Sequence, residues 1–372
     1  MKENEQIITG ENSISQIGSI LDDFDVKKFM LVCGRSFDKQ NFKQYFDVLT
    51  VPFVRFSGFG SNPLYEDVCR GADTFNKEEC DCLVAVGGGS AIDVAKCIKL
   101  FCKMGEKRNY LIQEYTNTHI PLIAIPTTAG TGSESTKHAV IYFEGKKQSI
   151  SHDSIVPEVA ILDSLSLKGL PEYHKKCTML DALCQGIESW WSVNSTDESI
   201  EYSYKAVELI AVNWQDYMCR DATAAERIML AANLAGRAIN ITQTTAAHAM
   251  SYVLTSMYNL PHGHAVAVCL PFVWKYMIEN LNKSIDPRGA KYLKGVLGQI
   301  AEAVGCDSVN CAIQWFEKLI TELDIVTPET QNVADIEMLT SSVNPIRLKN
   351  NPVELSEEVL CKMYTSIVRI TK

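Results

Sequence analysis

The sequence predicts two domains, an α/β domain built on a parallel sheet followed by an all-helical domain. Three observations carry this. The chain has 372 residues, more than one simple core accommodates. Its first half alternates apolar, glycine-ended strand signals with amphipathic helix signals, the mark of a parallel sheet covered on both faces. After about Asp163 the strand signals fade and long helical periodicities take over. A boundary near Leu165–Pro171 divides the chain into 1–168 and 169–372.

The elements follow in order. Residues 27–34 (KKFMLVCG) read as a strand ending in glycine, and 36–49 (SFDKQNFKQYFDVL) as a helix. Residues 52–63 (PFVRFSGFGSNP) read as a strand running into a Gly/Pro/Asn loop, and 65–80 as a helix. Residues 82–89 (CLVAVGGG) form a buried strand entering glycines, 90–103 the next helix, and 121–134 (PLIAIPTTAGTGSE) a strand with a polar, glycine-rich exit. Residues 173–193, 199–218 and 222–241 are long amphipathic helices.

Composition narrows the class. Hydrophobic content of 46% and charged content of 22% are those of a soluble globular protein. A net charge of −10 with no dense Lys/Arg block excludes a general nucleic-acid surface. It also means that an anionic substrate needs a local basic site. The start, MKENEQIITGENS, has no apolar h-region, and no run of about 18 apolar residues follows. The 13 cysteines are scattered without a C-x-x-C, so free thiols and a cytoplasmic protein are expected.

Two loops suit a nucleotide. In VGGGSAID (86–93), Gly87, Gly88 and Gly89 let the backbone approach a pyrophosphate, and Ser90 with the first helical N–H groups can donate to it. The G-x-G-x-x-G fingerprint is absent, and a tight strand–helix turn with nothing bound fits the same residues. The second loop, 126–134, offers the hydroxyls of Thr127, Thr128, Thr131 and Ser133. Both lie at the carboxyl ends of strands, where open parallel sheets bind ligands. After the first strand, Gly34 and Arg35 stand where an acid would repel a 2′-phosphate, which leaves room for NADPH as well as NADH, while an Arg35 that only faces solvent, the commoner fate of a loop arginine, fits the same residues.

A second constellation suits a metal. Asp181 and Gln185 are four apart in a helical pattern and share a face. Beside Leu180, Ala182 and Leu183, a buried Asp181 is costly unless a cation relieves it. His248 and Tyr252 are also four apart, and His262 follows in a Pro-His-Gly-His turn. Cys184, three from Asp181, is a further candidate that favours zinc. A salt-bridge partner and satisfied core histidines fit the same spacing.

The motifs GGGSAID (87–93), PTTAGTGSE (126–134), PEVAILD (157–163), DAL (181–183), HAM (248–250) and PHGHA (261–265) occur in this order. On them, the chain resembles the iron-containing (group III) alcohol dehydrogenases over nearly its whole length. The resemblance implies an N-terminal dinucleotide-binding domain, a helical C-terminal domain and an active site in the cleft between them, the architecture shared with dehydroquinate synthase. It implies Asp181, His248 and His262 as ligands of Fe2+ or Zn2+. It implies Gly87, Gly88, Gly89, Ser90, Asp93, Thr127, Thr128, Thr131 and Lys147 as NAD(P)H contacts. Two positions depart from the family: Gln185 stands where a ligand histidine is usual, and Tyr252 where a histidine is frequent. A carboxamide oxygen is a weaker, harder ligand than imidazole.

Within the family, LDALCQ (180–185), ESWWSVNST (188–196) and GRAINITQTTAAH (236–248) are most similar to the phosphonoacetaldehyde reductases, which make 2-hydroxyethylphosphonate. The sulfoacetaldehyde reductases are alike in substrate, and a general short-chain alcohol dehydrogenase is the other enzyme reading. A non-enzymatic nucleotide-binding role is the reading from another class. An anionic headgroup calls for charge-assisted donors, and Arg237, Asn240, Thr242, Lys137 and His138 are the candidates. In the expected mechanism the metal polarises the aldehyde, nicotinamide delivers hydride, and bound water, His264 or Tyr252 supplies the proton beside His262. A homodimer is the expected assembly.

Overall fold

The computed structural model describes residues 6–105 and 109–371. Eight strands occupy its first part. They are β1 (Gln6–Thr9), β2 (Phe29–Cys33), β3 (Phe53–Phe56), β4 (Cys82–Gly87), β5 (Leu122–Pro126), β6 (His138–Phe143), β7 (Lys146–Ser151) and β8 (Val159–Leu162). Six of them form one all-parallel sheet in the order β1-β8-β5-β4-β2-β3. The helices are α1 (Ile17–Asp23), α2 (Lys43–Asp47), α3 (Tyr65–Lys77) and α4 (Gly89–Phe101).

Alternation along the strands builds two cores. Met30, Val32, Leu83 and Ala85 face the layer of α3 and α4. Phe29, Leu31, Cys82, Val84 and Val86 face the opposite layer, with Ile17, Leu21 and Phe46. The central strands are buried on both sides, which is why their sequences are continuous apolar runs.

β1, α1 and β8 have no counterpart in the sequence reading, and two further details differ. The helix expected over 36–49 is broken into a 3-10 turn at Arg35–Lys39 and the short α2, because Gln40 between them is extended. The antiparallel β6–β7 hairpin was not anticipated. Its turn residues, Glu144 and Gly145, both have positive φ, as the right-handed twist of a two-residue hairpin requires.

The later chain is helical: α5 (Glu172–Trp191), α6 (Asp197–Met218), α7 (Ala222–Thr242), α8 (Ala246–Met257), α9 (His262–Glu279), α10 (Ala290–Ala303), α11 (Val309–Glu322), α12 (Ala334–Ser341), α13 (Pro345–Leu348) and α14 (Glu357–Ile367). The exception is a parallel pair of two-residue strands, β9 (Glu329–Thr330) and β10 (Arg369–Ile370). Among the described residues no helix is long and apolar enough to cross a membrane, and all 13 cysteines are free.

The chain forms two compact units, Met1–Pro171 with Arg220–Gly236, and Glu172–Cys219 with Arg237–Lys372. The first cut falls at 171/172 rather than 168/169, and Arg220–Gly236, which includes most of α7, packs with the sheet unit. The cause is a backbone contact that only glycines allow. A Cβ on Gly132 would lie 2.5 Å from the Cα of Gly236. Asn233 then donates to the Ser135 hydroxyl at 2.5 Å.

Candidate metal centre and cofactor loops

In the helical unit, α5 carries Asp181, Gln185 and Glu188 at intervals of four and three, one stripe of the helix. All three are buried, with exposures of 3%, 4% and 0%. Three polar side chains on a buried helix face need partners, because each unmet polar group costs stability. His248 near the start of α8 and His262 at the first residue of α9 supply them.

His248 Nε2 lies 3.4 Å and His262 Nε2 3.9 Å from Asp181 Oδ1. These separations are long for hydrogen bonds. They are close to the roughly 3–3.5 Å that separates two donors bonded at about 2.0–2.2 Å to a common ion. Asp181, His248 and His262 each present one ligand atom, all within 4.8 Å of one another. Asp181 Oδ1, His248 Nε2 and the Gln185 carboxamide oxygen are buried and accept or donate no hydrogen bond among the described residues. Such a set of unmet donors fits a divalent cation. Cys184 is fully buried, lies outside the cluster, and has its thiol pKa raised well above the ordinary value by burial.

The close approach of α9 to α5 depends on Gly263. A Cβ there would sit 1.9 Å from the Cys177 carbonyl oxygen and 2.8 Å from Asp181 Cβ. Glycine at this one position brings His262 up to Asp181.

Glu188 was not among the sequence candidates, and it orders the site. Its Oε1 accepts from the Thr245 hydroxyl at 2.6 Å, Ala247 N at 2.9 Å and His248 N at 3.4 Å. Its Oε2 accepts from His248 Nδ1 in a very short contact. This bond fixes the Nδ1–H tautomer and turns the Nε2 lone pair towards Asp181 and His262. Burial opposes charge on His248, but Glu188 and Asp181 outweigh it and push its pKa up to about 9. Burial also opposes charge on Asp181, yet His248 and His262 hold its carboxyl below the ordinary value.

The proton-donor candidates separate. His264 is two residues from His262 on α9, so the two side chains leave different faces. Its Nδ1 meets the Tyr173 hydroxyl at 2.7 Å and its Nε2 meets the Val326 carbonyl at 2.7 Å. Both nitrogens are committed to these contacts, and burial lowers the pKa. Tyr252 instead lies at the cluster. Its ring stacks on the His262 imidazole with centroids 5.6 Å apart and planes within 4°. Arg347 Nη1 donates to its hydroxyl at 2.7 Å.

The expected headgroup donors belong to both units. Arg237 stands over the Tyr202 ring at 5.8 Å. Asn240 is half-buried on the same end of α7. Thr242 is fully buried, with its hydroxyl bonded to Ser189 Oγ and to the carbonyls of Ala238 and Gln243; it closes a helix end. Lys137 and His138 belong to the sheet unit, where Lys137 pairs with Asp153 at 3.0 Å and the His138 carbonyl accepts from buried Lys96.

In the sheet unit, the adjacent strands β4 and β5 bring the two glycine loops together. A Cβ on Gly88 would lie 3.3 Å from Thr128, and one on Gly89 3.0 Å from Thr131. Gly87 has φ +155°, and the Thr127 amide donates to its carbonyl. No side chain caps α4, so its N-terminus is left for an acceptor such as a phosphate. Ser90 donates to the Ser61 carbonyl. Asp93 is braced internally, accepting from Ser133 Oγ at 2.6 Å and Val140 N at 3.0 Å. Burial raises its pKa, against the charges of Lys96 and Lys147. After β2, the Gly34 carbonyl accepts from Arg55, which also holds Asp38 at 2.6 Å, while Arg35 is exposed.

The family model for iron-containing alcohol dehydrogenase matches residues 4–164, and that for the C-terminal part of the Fe-containing alcohol dehydrogenase family matches residues 176–368. The chain is 32% identical over 297 residues to a phosphonoacetaldehyde reductase of Streptomyces viridochromogenes, covering 76% of this chain and 75% of the relative. It is 33% identical over 290 residues to a 1,3-propanediol dehydrogenase of Citrobacter freundii, covering 74% and 75%. Among solved structures, a sulfoacetaldehyde reductase of Bifidobacterium kashiwanohense in complex with NAD+ superposes with a TM-score of 0.88 at 26% identity, over 98% and 97% of the two chains.

Proposed function

The chain belongs to the iron-containing alcohol dehydrogenase family and is an oxidoreductase; from that premise we propose that it reduces a small anionic aldehyde with NAD(P)H at a divalent metal, phosphonoacetaldehyde being the preferred substrate. The observation that carries the reading is the set of buried, unmet ligand atoms on Asp181, Gln185 and His248, with His262 beside them. When bound, the metal supplies Lewis-acid polarisation of a carbonyl, and reduced nicotinamide supplies hydride.

The protein's own residues do the rest. Asp181 gives the one negative charge among the ligands, and Gln185 a neutral carboxamide oxygen. Glu188 holds the His248 proton on Nδ1, away from the ion. Tyr252 walls the site against His262 and places a hydroxyl there for proton transfer. Gly87–Gly89 and the first turn of α4 take the cofactor's phosphates, with Thr127, Thr128 and Thr131 opposite them.

The relatives' substrates support an aldehyde or alcohol of two or three carbons, and two of the three carry an anionic headgroup. The test is NAD(P)H oxidation with phosphonoacetaldehyde, sulfoacetaldehyde and propionaldehyde side by side. The expected order is phosphonoacetaldehyde first and propionaldehyde last by kcat/KM. Equal or better turnover of propionaldehyde would make the chain a general short-chain alcohol dehydrogenase, the reading that likeness to the 1,3-propanediol dehydrogenase favours.

A further inference from the structure

Resting on the anionic-aldehyde reading, we propose that Arg347 binds the substrate's phosphonate or sulfonate group, and that α13 exists to present it. The net charge of −10 gives an anion no general attraction, so a local cation must hold it. In the helical unit, Arg347 lies against Tyr252, the ring that stacks on His262.

Three rings and planes stand in contact. The Tyr252 ring stacks on His262 at 5.6 Å, and the Arg347 guanidinium carbon lies 4.8 Å from the centre of the same Tyr252 ring. The guanidinium is therefore no further from the His262 imidazole than these distances combined, about 10 Å. A two-carbon aldehyde spans roughly 4 Å from carbonyl oxygen to headgroup at ordinary bond lengths. Metal-to-oxygen contact adds about 2 Å and a headgroup–guanidinium hydrogen bond about 3 Å. The reach of a substrate bonded at both ends, about 9 Å, falls within this limit.

Arg347 is also chemically available. It is half-buried, and among the described residues no carboxylate forms an ion pair with it. One N–H group is used on the Tyr252 hydroxyl. The planar fork that remains suits two oxygens of a tetrahedral oxyanion. By contrast, Lys137 is paired with Asp153 and Arg237 covers Tyr202.

The segment that carries Arg347 is fixed at both ends. Asn344 caps α13 by accepting from Ile346 N at 2.9 Å, and Pro345 starts the helix. Three residues beyond Arg347, Asn350 accepts from Asn194 at 3.0 Å and donates to the Thr244 carbonyl at 3.2 Å. The Asn350 carbonyl also accepts from Val193 N at 3.1 Å. These bonds tie the arginine to the end of α5 and the approach to α8, the two helices that carry Asp181 and His248.

The experiment compares wild type, Arg347→Gln and Arg347→Lys with phosphonoacetaldehyde, sulfoacetaldehyde and propionaldehyde, and with inorganic phosphate as inhibitor. Metal content is measured for each. The kcat/KM ratio of anionic to neutral aldehyde should fall roughly tenfold or more in Arg347→Gln, mainly through KM. Arg347→Lys should recover part of it, and phosphate should lose roughly tenfold in potency against Arg347→Gln. An unchanged ratio and unchanged phosphate inhibition in a metal-loaded variant would overturn the role of Arg347. If Arg347→Gln does not fold, Arg347→Met replaces it, and an unchanged ratio there overturns the role equally. A wild type that shows no preference for anionic aldehydes instead refutes the substrate reading, before any variant is compared.

Discussion

Replacing Glu188 by Gln should cost the metal site its second histidine without removing a ligand. The variant keeps the side-chain volume and one carbonyl oxygen. That oxygen can still accept from Thr245, Ala247 N and His248 N, which all donate to Oε1. The amide nitrogen must then take the Oε2 position and face His248 Nδ1. Two N–H groups cannot face each other, so the imidazole moves its proton to Nε2, the atom nearest Asp181. The lone pair needed by the ion is gone. Loss of such an orienting carboxylate lowers metal affinity about 10–100-fold. Losing a buried, charge-assisted hydrogen bond also lowers stability by about 1.5–3 kcal/mol. Chelator competition and thermal melts of the metal-free protein measure the two effects. A metal affinity within threefold of wild type would refute the claim that Glu188 sets the His248 tautomer.

Three further outcomes follow from the same geometry. Gly263→Ala places a methyl group 1.9 Å from the Cys177 carbonyl, where helix backbone cannot yield, so α9 must retreat from α5 at a cost of about 1–3 kcal/mol; Tm and metal content should both drop, and a variant with wild-type metal content refutes the tight approach. Metal uptake should release a proton, because His248 is charged below about 9 when the ion is absent and must be neutral to bind it; affinity then rises with pH towards that value, and calorimetry in buffers of different ionisation enthalpy checks the proton. The sign is opposite for the metal-free fold, whose raised His248 pKa contributes stability that is full below 6.5 and lost as pH rises through about 9.

Much of this architecture was legible because its signals are strong and local. The strands at 29–33, 82–87 and 122–126 are unbroken apolar runs ending in glycine or proline, as doubly covered parallel strands must be. Asp181 stood out because a carboxylate among leucines is costly without a partner. Glu188 gave no such signal: near a helix end, before two tryptophans, it reads as an ordinary solvated acid, and only the fold shows it fully buried against His248. His262 and His264 look equivalent in Pro-His-Gly-His, but one step of two along a helix sends them apart. Arg347 lies in SSVNPIRLKNN, which has little hydrophobic period; its position comes from the Asn344 cap and the Asn350 bonds, which join residues far apart in sequence. Arg237 drew attention for its charge and its nearness in sequence to His248, neither of which fixes where a side chain points.

The central claim is that reduction depends on one divalent cation held by Asp181, Gln185, His248 and His262. Metal analysis joined to an NAD(P)H oxidation assay tests it, comparing wild type with Asp181→Asn. The account predicts one equivalent of iron or zinc per chain and turnover of phosphonoacetaldehyde in wild type, with both lost in the variant while NAD(P)H binding persists. Undiminished turnover by a folded, metal-free Asp181→Asn protein would contradict it.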